Sequence, residues 1–358
     1  MAAFRRILVT GGAGFVGSNL ALLARRDHDG AEVVAFDNLR RRGSELALAR
    51  LKAGGVTFIH GDIRNPADIA DAGAFDLLLE CSAEPSVQAG YGGSPAYLID
   101  TNLTGTIHCL EAARRHQAAV VFLSTSRVYP IAALRALPLE PRGARLAIAE
   151  GASGPGWSAE GISAGFPLAG ARSLYGTTKL ASELVIDEYR AMYGLRAVIN
   201  RCGVLTGPWQ MGKVDQGFVV LWAARHLYGG PLAYIGFGGD GRQVRDLLHV
   251  ADLHALITRQ IADFPRFGQG VWNVGGGAGV SLSLAELTDL VVRLTGRRIA
   301  IASRPETHPA DIPWYITDNA AITAASGWRP TRDAAAILEE VVAWLDGNRA
   351  QLAPVLGG

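Results

Sequence analysis

Residues 6–17, RILVTGGAGFVG, decide how the rest of the chain is read. Arg6–Thr10 opens with a short apolar, β-branched run of strand composition. Glycines follow at 11, 14 and 17, and a helix-like stretch, Phe15–Ala24, begins inside them. Glycine tolerates the tight turn a strand needs to enter a helix, and it lets backbone approach a ligand closely. The first turn of such a helix offers free amide groups and the positive end of its dipole, which together favour an anion such as a pyrophosphate.

The next apolar run, EVVAFD (32–37), ends in an acid about 20 residues beyond the glycines, the spacing of a dinucleotide site. Asp37 is placed to accept hydrogen bonds from the adenosine ribose hydroxyls. Its carboxylate repels a 2′-phosphate, so NAD is expected over NADP, even though Arg40, Arg41 and Arg42 follow. Phe15 and Val16 at the helix start, and Asn38 and Arg40 beyond the acid, are expected to touch the cofactor. So are Asp62 and Ile63, which end the third apolar run and lie near the adenine.

Outward from this unit, apolar runs alternate with helical stretches. The runs are 56–62, 76–83, 119–126 and 195–203; the helical stretches include 96–116 and 175–193. Continuous apolar strands separated by helices predict an α/β protein with a doubly wound, parallel Rossmann-type sheet covered on both faces. The regularity fades after Gly207. Residues 1–204 read as the NAD-binding domain, and 205–358 as mainly a smaller C-terminal substrate-binding domain. A segment near 245–280 is expected to return to the first domain, with a late strand at 270–277 and a helix at 283–295. Residues 130–170, rich in Gly, Pro, Ala and Arg, read as an insertion in the first domain, long enough to serve as a lid or binding loop.

Composition narrows the partners. Across 358 residues, 34 Lys and Arg stand against 33 Asp and Glu, a net charge of +1. That leaves no bulk field for nucleic acid or an anionic membrane. Cys81, Cys109 and Cys202 sit in apolar contexts without a CxxC pair, so buried thiols are expected, with neither a metal site nor a disulfide. The apolar run after Arg5 and Arg6 is too short for a signal peptide, and no run of about twenty apolar residues occurs. A cytoplasmic protein is expected.

The chemistry is suggested by SLYGTTKL (173–180). Tyr175 and Lys179 lie four apart at a helix start and therefore share a face. A free tyrosine is a poor base at neutral pH, and an ammonium one turn away favours its phenolate.

With the glycine loop, Asp37, Asp62, TNLTGT (101–106), LSTSRVY (123–129), the Tyr-x-x-x-Lys pair and QVRDLLHVADL (243–253), the chain resembles the extended short-chain dehydrogenase/reductases (extended SDR). Within them it resembles the nucleotide-sugar epimerases and dehydratases. The resemblance spans nearly the whole length. It implies a catalytic set of Thr125, Tyr175 and Lys179, in which Tyr175 takes a substrate hydroxyl proton, Thr125 hydrogen-bonds that oxygen, and Lys179 holds the nicotinamide ribose. It also implies cofactor contacts from Ser82, Ala83, Asn102, Ser124 and Cys202, besides Gly11, Gly14, Tyr175 and Lys179.

For the substrate, the resemblance implies a nucleotide sugar, with a CDP-linked sugar favoured. Arg245 would grip the diphosphate with its planar fork, and Arg304 and His308 would make a second anion contact. Asn200, Gln210, Asp215 and Gln216 would lie by the sugar and base, with Glu84, Ser126 and Arg127 near the reacting ring. A homodimer paired through the helices at 96–116 and 175–193 is implied as well.

Departures from the family pattern matter too. Glu80, Cys81, Ser82, Ala83 and Glu84 stand where relatives often carry His-Leu-Ala-Ala/Gly-Gln. Pro130 and Ile131 replace a Gly-Asp, and HPAD, with His308, replaces Arg-Pro-x-Asp. Sugar 4,6-dehydratases have an Asp-Glu pair after the threonine that shuttles protons during loss of water; this chain has Ser126 and Arg127. Without those carboxylates elimination lacks its acid and base, and an oxidised sugar would be reduced again, which is epimerisation. A 4-epimerase, a decarboxylase, or an NAD-binding protein without catalysis are the other readings; Thr125, Tyr175 and Lys179 together argue against the last.

Overall fold

The computed structural model describes residues 4–214 and 216–357. Its central feature is a seven-stranded sheet. The strands, in chain order, are β1 (Arg6–Thr10), β2 (Glu32–Asp37), β3 (Thr57–His60), β4 (Leu77–Glu80), β5 (Ala119–Thr125), β6 (Ala197–Cys202) and β7 (Val271–Val274). Across the sheet they run β7-β6-β5-β4-β1-β2-β3. The pairs β1–β2, β2–β3, β1–β4 and β4–β5 are all parallel, with Ile7 beside Val33 on one side and Leu77 on the other.

This is the doubly wound order, and it reverses between β1 and β4. The inner strands are mostly apolar because helices cover both faces, with polar residues gathered toward their carboxyl ends; all seven residues of β5 are buried. Leu8, Val34, Leu78, Val120 and Ile199 lie in the same packed core as Leu110 and Ile186. The helix expected at 96–116 is interrupted: Ala96–Ile99 and Gly105–Arg115 are joined through a π-helical turn, Asp100–Thr104.

The chain separates into two compact units. The first runs to Val128 and adds Leu174–Arg201 and Leu253–Trp272; the second takes Tyr129–Ser173, Cys202–Asp252 and Asn273–Gly358. The returning segment is thus narrower than 245–280. Residues 130–170 fall in the second unit, which makes that unit about half of the chain and not a minor appendage.

The reason lies in main-chain pairing. The hairpin Leu139–Arg142/Arg145–Ile148 sends Leu146 N–H to Arg242 O at 2.9 Å, and Arg145 donates to Ser281 O at 2.7 Å. Ile162 N–H donates to Ile316 O at 2.7 Å. Two backbone amides and the Arg145 guanidinium thus tie the segment to the second unit's own main chain.

That unit also holds a helical layer, Phe218–Tyr228 packed on Leu284–Thr295 and Ala334–Gly347. Ser283 and Glu286 close a reciprocal capping box at the start of Leu284–Thr295, the helix expected at 283–295.

Candidate active site

The loop after β1 is built for close approach. Gly11 has φ +64°, and a Cβ there would lie 2.8 Å from Cys81 O. At Gly17 a Cβ would lie 2.1 Å from Gly11 O, so the helix could not start so near the turn with any side chain. Gly14 N–H closes the turn on Gly11 O at 3.0 Å. Helix Phe15–Asp27 then begins with no side-chain cap and no acid in its first turn, leaving its amides for an anion.

Asp37 ends β2 beside this turn. It accepts from Ala13 N–H at 3.1 Å and Leu39 N–H at 2.8 Å. Burial pushes its carboxyl up from the ordinary range, and those amide donors oppose the rise. Asp62 accepts from Asn38 Nδ2 at 2.9 Å and pairs with Arg64 at 2.7 Å. Burial would raise its carboxyl too, but the Arg64 and Asn38 hydrogen bonds outweigh that and bring it down to about 2. Arg40 lies over the Tyr97 ring, 3.9 Å from its centroid, so its guanidinium is engaged on that face. Ile63 is buried, and its carbonyl meets His108 Nδ1 at 3.0 Å.

The second wall of this site comes from β4, β5 and the helix Leu174–Tyr193, which packs on β5 and on the short turn Ser126–Val128. Thr125 is buried at the end of β5, and its Oγ1 accepts from Arg127 N–H at 3.2 Å. Tyr175 is half-buried on the first turn of the helix, and Lys179 is buried one turn on. Lys179 Nζ lies 3.5 Å from Ser82 O, 3.6 Å from Glu80 Oε2 and 4.5 Å above the Phe122 ring. Asn102 lies in the π-helical turn, a feature often found at functional sites. Its amide ties down Glu84 in both directions, accepting from Glu84 N–H at 2.8 Å and donating to Glu84 O at 3.0 Å.

Glu183, one turn beyond Lys179, is a residue that sequence reasoning passed over. It is buried, accepts from Ser124 Oγ, and forms a forked pair with Arg201, at 2.7 Å and 3.1 Å. Its signal in the sequence was an acid spaced four residues beyond Lys179, on the helix face whose buried residues also include Lys179 and Ile186. Glu80 carried a clearer signal: a lone acid closing the apolar strand β4.

The remaining expected residues are dispersed. Asn200 is fully buried in β6, with both ends of its amide bonded to Gln260 at 2.8 Å. Cys202 is buried at the end of that strand, Ala83 is half-buried after β4, and Ser126 is buried beside Thr125. In the second unit, Gln210 accepts from Thr206 Oγ1 at 3.1 Å and donates to Leu205 O at 3.0 Å, while Gln216 makes a small bridge with Lys213. Arg245 donates to Ile312 O at 2.6 Å and to Asp311 at 3.1 Å. Arg304 is exposed at a strand end, and His308 Nδ1 accepts from Ala310 N–H at 3.1 Å. Asp215 lies outside the described residues.

Among the described residues no helix is long and apolar enough to cross a membrane, and no group of three or more His, Cys, Asp or Glu could hold a metal ion.

The glycine turn, the open helix start, the acid that ends β2 and the helix carrying Tyr175 and Lys179 all belong to one Rossmann-type sheet. The chain belongs to the NAD dependent epimerase/dehydratase family, whose model matches residues 7–275, and NAD is its cofactor. Among its relatives is the CDP-paratose 2-epimerase of Salmonella typhi, 28% identical over 351 residues, spanning 95% of this chain and 98% of that one. A dTDP-glucose 4,6-dehydratase of Streptomyces niveus is 29% identical over 357 residues, spanning 98% and 95%. Two solved structures are similar in fold and sequence. The UDP-glucose 4-epimerase of Thermus thermophilus in complex with NAD has a TM-score of 0.73 at 27% identity, covering 96% of this chain and 99% of that one. A dTDP-glucose 4,6-dehydratase from Streptomyces venezuelae with NAD bound has a TM-score of 0.77 at 28% identity, covering 98% and 99%.

Proposed function

We propose that this protein is a nucleotide-sugar epimerase acting on carbon 2 of a CDP-linked dideoxy sugar, as a CDP-paratose 2-epimerase does. The observation that carries the choice of epimerisation over dehydration is the end of β5. Ser126 and Arg127 follow Thr125 there, and the acid that reaches this strand end, Glu183, is held by Ser124 and Arg201. A proton donor for water loss needs a carboxyl free to meet the substrate.

Bound NAD supplies reversible oxidation of a ring carbon. Tyr175 takes the hydroxyl proton and returns it, Thr125 donates a hydrogen bond to the same oxygen, and Lys179 supports the phenolate with its charge. Gly11 and Gly14 bring backbone amides to the pyrophosphate, and Asp37 and Asp62 hold the adenosine end. In this reading Ser82, Ala83, Asn102, Ser124 and Cys202 line the cofactor. Arg245 holds the diphosphate, with Arg304 and His308 as the further anion contact. The similarity to a 2-epimerase supports the CDP sugar, though dehydratases match over comparable lengths.

The test is incubation of the protein with CDP-, UDP-, GDP- and dTDP-sugars in deuterium oxide, read by NMR. Inversion at carbon 2 of a CDP-sugar with little deuterium in the product is expected, since the ring hydrogen is removed and returned within the site. A 4-keto-6-deoxy product, inversion at another carbon, or extensive deuterium at a ring carbon would overturn the proposal.

A further inference from the structure

Glu80 closes β4 and is only 1% exposed, deep in a unit whose acids are otherwise mostly at its surface. One carboxylate oxygen is accounted for: Oε1 accepts from Ser82 N–H at 3.0 Å. The other, Oε2, is buried and makes no hydrogen bond within 3.5 Å among the described residues. What it faces is Lys179 Nζ, at 3.6 Å, whose side chain is 3% exposed. A buried carboxylate oxygen left to one cation, beside the lysine of the tyrosine–lysine pair, needs an explanation, because burying an ion without a compensating partner is costly.

We propose that Glu80 is a positioning residue for the reaction: its carboxylate anchors the Lys179 side chain and holds its ammonium charged, one helical turn from Tyr175. This rests on the epimerase reading for its catalytic meaning, but the anchoring itself does not depend on the substrate. Two charges held at 3.6 Å in a water-poor site attract strongly. Lysine is otherwise the cation that gives up its proton most readily when buried.

The surroundings are consistent with a charged pair. The Phe122 ring from β5 lies under the ammonium at 4.5 Å, and Ser82 O is a second acceptor at 3.5 Å. The other titratable group packed against the pair is Cys109, from Gly105–Arg115; burial, reinforced by the Glu80 charge, pushes its thiol well above the ordinary range, so it stays neutral. On the lysine's own helix, Glu183 is already paired with Arg201, and Tyr175 lies one turn before the lysine. Burial pushes the Glu80 carboxyl up from its usual range, and the Lys179 charge opposes only part of that rise.

The chain has three lysines, Lys52, Lys179 and Lys213, so [13Cε]-lysine labelling yields a spectrum in which Lys179 can be assigned by its loss in Lys179→Arg. In Glu80→Gln, which keeps size and an oxygen for Ser82 N–H, the Lys179 resonance should titrate about one pH unit or more below its wild-type midpoint. The Lys52 and Lys213 resonances should not move. Glu80→Asp should lie between the two, and covers the case in which Glu80→Gln fails to fold.

With the nucleotide sugar, kcat should fall about tenfold or more in Glu80→Gln while KM stays within roughly threefold, because the lost group touches no substrate. A Lys179 midpoint unchanged in both variants overturns the proposal, whatever the substrate proves to be. A shifted midpoint in a protein inactive on every sugar tested keeps the anchor and overturns only the epimerase reading.

Discussion

At Tyr175 the spacing to Lys179 and the half-buried position agree with a proton-transfer role, and the change that tests it removes one oxygen. Tyr175→Phe keeps the ring, so NAD binding should persist while turnover falls by about 10²–10⁴-fold. Near-normal turnover would remove Tyr175 from the mechanism. Arg201 tests the buried network beneath the site. Its guanidinium compensates Glu183, whose side chain is 3% exposed. Arg201→Met would leave that carboxylate buried without a counter-charge and should lower stability by about 3–5 kcal/mol in chemical denaturation. A variant as stable as the wild type would mean that Glu183 is neutral in the fold. His254 gives a pH signature. Burial lowers its imidazole from 6.5 to about 4, only partly opposed by Asp27 at 3.6 Å. The unfolded chain therefore binds this proton first, so stability is lost as pH falls from 6.5 toward 4 and levels off below that. Asp62 acts in a lower window, between 3.8 and about 2, where its folded form holds off protonation. His254→Gln should flatten the upper part of the stability–pH curve by an amount on the order of 3 kcal/mol across the window. An unchanged slope between pH 6.5 and 4 would show that His254 does not titrate with folding.

Elements explain why so few side chains suffice. The loop between β1 and helix Phe15–Asp27 works through backbone, so its glycines act by being absent as side chains. Gly17→Ala would put a Cβ at 2.1 Å from Gly11 O. Overpacking of that kind costs about 1–3 kcal/mol, so NAD affinity should drop roughly tenfold or more in calorimetry. Unaltered affinity would show that the loop can relax without losing its anion site. The same measurement separates the cofactors. Asp37 at the end of β2 and the Arg40–Tyr97 contact both favour NAD, and a preference for NADP would mean that the arginines at 40–42 outweigh the acid. The helix Leu174–Tyr193 serves two purposes. Its inward face carries Lys179 and Glu183, while Leu184, Met192 and Tyr193 are 62%, 65% and 50% exposed. Large apolar side chains left in water along one helix are what a helix-pairing interface requires.

At the scale of the whole molecule, that exposed helix and the commonness of two-fold pairing lead us to expect a dimer in solution. Light scattering that finds a stable monomer at micromolar concentration would refute it. The sequence alone determined the parts whose physics is local. Periodicity in apolar runs marks strands buried on both faces, a glycine trio marks a turn, and an i, i+4 pair marks a helix face. Hence the doubly wound parallel sheet, the glycine turn at Gly11–Gly17, the acid ending β2 and the shared helix of Tyr175 and Lys179 were legible as structure. So was the cofactor. Residues 130–170 were not, because a segment rich in glycine and proline carries no period, and its unit is chosen by backbone pairing with Arg242 and Ile316. The pairing of Asn200 with Gln260 and the joining of Ser124 to Glu183 and Arg201 also lay beyond sequence reasoning. Tertiary structure alone decided that Glu80 meets Lys179, because residues far apart in a chain become neighbours only when parallel strands and their crossover helices have set the register.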